Sequence, residues 1–189
     1  MNDAPKKLNP IIQMIVVLYP VTMFAIGAVL NFYVLELSAV VPALPSEQSI
    51  AALTFAALVL LVNHTWLMTS TELTRGRYRM HATPEAWAAS EDTPEGVSQA
   101  GLDEVQRRYN AHRNTTENVV YFAFLALLLA FTSPSINAVY AWVIGFAIAR
   151  IAYTAAYLAG SDAMRGLCMS ASLISLYGMA SYVLMSILL

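Results

Sequence analysis

Apolar residues fall in long runs separated by short polar or proline-bearing stretches. The runs cover Ile11–Leu35, Ile50–Thr71, Val119–Phe131, Ile136–Gly160 and the stretch from Arg165 to Leu189. About 20 apolar residues cross ~30 Å of hydrocarbon as a helix, so the pattern predicts five membrane-spanning helices. The first run is too long for a signal-peptide core, and no small-residue cleavage site follows it, so it is expected to be retained. Pro20 inside it predicts a kink, and Asn31 and Glu36 near its far end read as interfacial groups.

The connections are equally legible. Val41–Glu47 carries Pro42 and Pro45 and reads as a loop, with Ser46 or Ser49 placed to cap the next helix. That helix is expected to continue into Glu72–Arg79. Met80–Gly101 is the one long polar connection, with a short helix expected around Glu85–Ser90. Asp103 and Glu104 then favour a helix start by opposing its positive dipole end. Ser133–Ser135 and Gly160–Ala163 read as tight turns, the second placing Arg165 at the start of the last helix. The chain divides at residues 1–48, an extra amino-terminal transmembrane helix and its loop, and 49–189, a membrane domain of four helices with a polar loop at about 80–102.

Composition agrees. The chain of 189 residues is 58% hydrophobic and 12% charged, with a mean hydropathy of +0.59, far more apolar than an ordinary soluble domain. The expected fold class is an all-α integral membrane protein. A net charge of −2 gives no reason to expect a nucleic-acid partner. Cys168 is the single cysteine, which rules out a disulfide within one chain and reads as a small core residue.

Charge placement predicts orientation. With five spans, Lys6, Lys7, Arg75, Arg77, Arg79, Arg107, Arg108, Arg113 and Arg165 share one side, and the opposite loops have no Lys or Arg. The positive-inside rule makes that side cytoplasmic, as expected for a bacterial inner-membrane protein. Arg150 alone lies inside a span.

The chemistry concentrates where the polar loop runs into the third apolar run. Asn110, Arg113, Asn114 and Glu117 are spaced i, i+3, i+4, i+7 on one helical face. Ionisable groups carried to a membrane edge need partners or a wet cavity. At 1.5 Å per residue, Glu117 lies roughly 23 Å and Arg150 roughly 21 Å from the Ser133–Ser135 turn joining their antiparallel helices. The matching depth predicts an ion pair, or a short bridged network, between them. Tyr153 and Tyr157 follow Arg150 on its face, while Arg165 and Arg75 sit at the same rim. Arginines bind carboxylates through paired hydrogen bonds, and an arginine at a helix start favours a thiolate. The group therefore suits a carboxylate-bearing, peptide-like thiol. No metal site is expected. His64, inside the second run, reads foremost as an interhelical hydrogen-bond partner.

The run Arg108-Tyr-Asn-Ala-His-Arg-Asn-Thr-Thr-Glu-Asn118 resembles the RAHxNxxE signature of the MAPEG family, membrane-associated proteins in eicosanoid and glutathione metabolism. Ala149-Arg-Ile-Ala-Tyr-Thr-Ala-Ala-Tyr157 is similar to that family's second motif, and Arg165-Gly-Leu167 to the start of its last helix. The resemblance covers roughly Ile50–Leu189. It implies a four-helix MAPEG-like bundle, here with one extra amino-terminal transmembrane helix, assembled as a homotrimer with glutathione between protomers at the cytoplasmic side. By resemblance Arg113, Asn114, Glu117, Tyr153 and Tyr157 hold glutathione, Arg165 stabilises its thiolate, and Arg75 matches the arginine ending the family's first helix. Asn110 stands where the family usually has an arginine, which removes a charge from the site. With Arg150 in the same cluster, the expected catalytic pair is Arg165 and Tyr153.

Two functions follow from different classes. One is a membrane enzyme of the transferase, peroxidase or isomerase type, in which a bound glutathione or another small thiol attacks a lipophilic electrophile arriving from membrane lipid. The other is a non-catalytic scaffold or lipid-binding protein on the same fold, which Asn110 favours.

Overall fold

The computed structural model describes residues 9–189. The polar tail with Lys6 and Lys7 therefore lies outside the described residues. Helix α1 spans Pro10–Tyr33, α2 Glu47–Arg77, the short α3 Pro84–Ala88, α4 Gln99–Ala130, α5 Ile136–Leu158 and α6 Asp162–Leu188. Among the described residues there is no strand.

Helix starts are set by short hydroxyl side chains. Ser46, Thr83, Ser98 and Ser135 each cap by accepting a backbone N–H three residues on, which satisfies a donor that the first turn leaves free. Ser135 also donates to the carbonyl of Leu35 at 2.7 Å, tying the start of α5 to the end of α1. At this same end Val40 N–H donates to Ser186 O and Ala43 N–H to Phe131 O. The long helices thus run antiparallel between two ends, one rich in serine and proline, the other in arginine. At the arginine-rich end Gly160 takes φ +71 in the α5–α6 turn, with the Arg107 guanidinium lying across the space a Cβ would fill.

Among the described residues, four helices are long and apolar enough by length and composition to cross a membrane: α1, α2, α5 and α6. α4 runs beside them as the fifth long helix and ends at the same serine- and proline-rich end, as the expected four-helix bundle with one extra helix requires. α4 belongs to the same bundle, but Arg113–Asn118 interrupt its apolar character, leaving Val119–Ala130 as its apolar part. Its polar half is tolerated because the residues facing the core are small or apolar: Gly101, Val105, Ala111, Thr115, Phe122 and Ala126 are buried. The core continues through Ala56, Leu60, Val139, Phe146 and Met179. Phe122 and Phe146 stack at 4.4 Å.

α1 is built into the bundle and runs unbroken through Pro20. Asn31, expected at the interface, is instead fully buried. Its Nδ2 donates to Gly178 O at 2.8 Å and Ser181 Oγ at 2.9 Å, and its Oδ1 accepts from Trp142 Nε1 at 2.8 Å. A lone amide is costly in hydrocarbon, so burial follows from the partners α5 and α6 offer. α1 and α6 cross at glycines: a Cβ on Gly27 would stand 2.8 Å from Gly178 Cα. A π-helical turn at Tyr140–Ile144 in α5 brings the Trp142 indole over Gly178.

Candidate functional site

Arg150 is the centre of the polar cluster and has no exposed surface. One guanidinium nitrogen, Nη2, donates to Asn114 Oδ1 and to Thr115 Oγ1, both at 2.9 Å. The other, Nη1, lies 3.4 Å from Ser172 Oγ and 3.5 Å from Met169 Sδ. Its Nε has no hydrogen-bond partner among the described residues. The Tyr153 ring covers the guanidinium at 4.2 Å from Cζ to centroid. A buried cation is thus held by neutral oxygens, sulfur and an aromatic face, contributed by α4, α5 and α6.

The cluster extends as a ladder toward the arginine-rich end. Tyr153 meets Tyr157 edge-on at 5.5 Å, and the Arg165 guanidinium sits 5.0 Å from the Tyr157 ring. Arg165 also pairs with Asp162 at 3.2 Å and remains partly exposed. Arg150, Tyr153, Tyr157 and Arg165 therefore form a row from the buried core to the surface, with two phenols between two cations. Such a row offers positive charge and hydroxyl groups to one bound anion.

The predicted ion pair between Glu117 and Arg150 does not form. Glu117 is paired with Arg113 at 3.9 Å, and the two side chains are 62% and 76% exposed. Helical phase decides the outcome. α4 turns Ala111, Thr115 and Phe122 to the core and Asn114 toward Arg150 of α5, which leaves positions 113 and 117 on the outer face. Only Asn114 of the expected α4 face reaches Arg150. Asn110 accepts from Gln106 Nε2 at 2.9 Å and stays on the outer side. Arg75, at the end of α2, contacts Glu72 and the Tyr109 hydroxyl, away from the ladder. Arg108 is engaged by Glu104.

The structure thus brings together Asn114, Arg150, Tyr153, Tyr157 and Arg165, and leaves Arg75, Asn110, Arg113 and Glu117 outside that group. It adds Thr115, Met169 and Ser172, which the sequence reading did not single out. A phase signal was available for Thr115, since it lies four residues after Ala111 in a row of small residues. Met169 and Ser172 sit four and seven residues beyond Arg165, one and two turns on, and carried no comparable signal. His64 meets the expectation of an interhelical bond: its Nδ1 lies 2.9 Å from His112 Nε2.

Two apolar grooves flank α4. One, of about 320 Å³, lies against α2 and is lined by Leu60, Leu61, His64, Thr115, Val119 and Phe122, among others. The other, of about 290 Å³, lies against α6 and contains Asn118, Tyr121, Leu173, Leu176 and Tyr177. Asn118 Nδ2 donates to Asn114 O at 2.8 Å, so this second groove borders the residue that holds Arg150.

The fold and cluster define an all-helical membrane protein with an arginine–tyrosine site at one end of its bundle. The MAPEG family model matches residues 50–185, which contain α4, α5 and every member of the cluster. The chain belongs to the MAPEG family. α1 precedes the matched region. No curated protein matches the chain.

Proposed function

We propose that this protein is a membrane glutathione-dependent transferase, peroxidase or isomerase, acting on a lipophilic electrophile through a bound thiolate. The observation that carries the reading is the ladder from buried Arg150 through Tyr153 and Tyr157 to Arg165. Arg165, at the open end and in the first turn of α6, has charge and helix dipole suited to a thiolate. Asn114, Tyr153 and Tyr157 supply neutral hydrogen-bonding groups for a peptide backbone. As the thiolate sulfur bonds to the electrophile, negative charge moves to the leaving or ring-opened atom, and the Tyr153 hydroxyl or Arg165 stabilises it.

Family membership supports a glutathione-related membrane function in general, and the finer activity rests on this site. The outward placement of Arg113 and Glu117 suits a second copy better than lipid. These two groups on a neighbouring protomer complete the enclosure in a homotrimer. The arginine-rich end faces the cytoplasm by the positive-inside rule. The grooves beside α4 give a lipophilic acceptor access from the bilayer.

Calorimetric titration of the full chain in detergent with glutathione, together with a conjugation assay on an activated aromatic halide, tests the proposal. Saturable binding and turnover support it. No heat at millimolar thiol overturns it and favours the scaffold reading, whose supporting observation is the neutral Asn110–Gln106 pair.

A further inference from the structure

We propose that His64 and His112 form a proton-sensitive clasp between α2 and α4, which closes the arginine-end mouth of the groove these helices enclose. The two rings meet through His64 Nδ1 and His112 Nε2 at 2.9 Å, with centroids 4.7 Å apart. An imidazole–imidazole hydrogen bond needs one nitrogen bearing a proton and the other bare. The contact therefore holds when the pair is neutral or carries one extra proton. When both rings are cationic, two N–H groups and two like charges face each other, and the bond is replaced by repulsion.

The surroundings offer no relief. On α4, Arg108 is engaged by Glu104, while Arg113 and Glu117 pair with each other on the outer face. On α2, Glu72 and Arg75 pair two to three turns further toward the arginine-rich end. From α5 the nearest charge is the Arg150 cation, which donates to Thr115, a residue that lines the same groove as His64. From α6, Arg165 is occupied by Asp162 and Tyr157. Among the described residues no carboxylate is within ion-pair distance of either ring. A doubly protonated pair would thus have no counter-ion among the described residues.

Position makes the clasp reachable by protons. Along α2, His64 lies roughly 27 Å from the Ser46 cap at 1.5 Å per residue, close to the far edge of a ~30 Å hydrocarbon layer. Opening there widens the groove beside Thr115 and loosens one of the two 2.9 Å bonds that hold Arg150. Acid therefore opens the groove, and neutral pH closes it. The proposal stands without the thiol chemistry, because it concerns the α2–α4 contact alone.

Nitroxide labels at Met68 and Val120, both exposed and outside the groove, report the α2–α4 separation by pulsed electron resonance in a Cys168→Ser background. The expected result is a lengthening of about 2 Å or more, the scale of helix shifts, between about pH 8 and about pH 5. His64→Gln, which cannot titrate, should abolish the change. Equal separation at both pH values, or an equal change in the variant, overturns the clasp. If His64→Gln fails to fold, ¹⁵N-histidine spectra of the unsubstituted chain decide. Both rings gaining a proton as the labels part supports it, whereas both protonated at constant separation, or fewer than both protonated at about pH 5, overturns it.

Discussion

Arg150 donates to Asn114 Oδ1 at 2.9 Å, so the buried guanidinium is anchored on α4 by a neutral amide and not by a carboxylate. Among the described residues no carboxylate pairs with Arg150, so its charge is met only by neutral oxygens, sulfur and an aromatic face. A buried ion pair would have spent that charge on holding the bundle together.

Asn114→Leu should therefore weaken the protein from inside. It removes an acceptor from a fully buried cation and leaves Thr115 as the only 2.9 Å partner of Nη2. The expected loss is about 1–3 kcal/mol, read as a lower midpoint in thermal unfolding in detergent. A midpoint equal to that of the unsubstituted chain would show that Arg150 does not depend on α4.

Glu117→Gln should leave the stability of one protomer almost unchanged. The carboxylate is 62% exposed and pairs only with Arg113 at 3.9 Å, and exposed pairs of this kind are worth about 0–1 kcal/mol. Chemical unfolding of the monomeric form checks this, and a loss of several kcal/mol would mean that Glu117 reaches Arg150 after all. Assembly is a separate matter: if positions 113 and 117 face a second copy, the same substitution should shift the oligomer toward monomers in analytical ultracentrifugation.

Asn31→Leu should loosen α1. The indole N–H of Trp142 loses its acceptor in a fully buried site, at an expected cost of about 1–3 kcal/mol, while the Gly178 carbonyl keeps Ser181 Oγ. Gly27→Val tests the same crossing by overpacking, since its Cβ would stand 2.8 Å from Gly178 Cα and the backbone cannot yield cheaply. Both variants should make the α1–α2 loop more sensitive to protease. Unchanged cleavage would mean that α1 is only loosely attached.

Arg165→Ala should lower turnover more than thiol affinity if Arg165 stabilises the thiolate, by roughly 10²-fold in kcat. Parallel losses of expression, binding and turnover would mark it as a structural group that orders the start of α6 through Asp162.

Much of this molecule was legible in its sequence. Helix positions followed from apolar length, turns from Pro, Ser and Gly, and the arginine-rich end from charge placement. What escaped was rotation. Spacing shows which residues share a face but not which neighbour that face meets, so Asn114 and Glu117 were grouped although they diverge between Arg150 of α5 and the outside. Asn31 escaped for a related reason: a polar group near a helix end reads as interfacial until Trp142, Gly178 and Ser181, all distant in sequence, are brought beside it. The π-helical turn that positions Trp142 has no sequence signal we recognise.

The most direct measurement is a cryo-electron-microscopy map of the full chain in lipid nanodiscs with saturating glutathione. The account predicts tripeptide density between two protomers, with its sulfur near Arg165 and its backbone against Asn114, Tyr153 and Tyr157. A map of the same oligomer in which that rim is closed by side chains, with no tripeptide density, would contradict it.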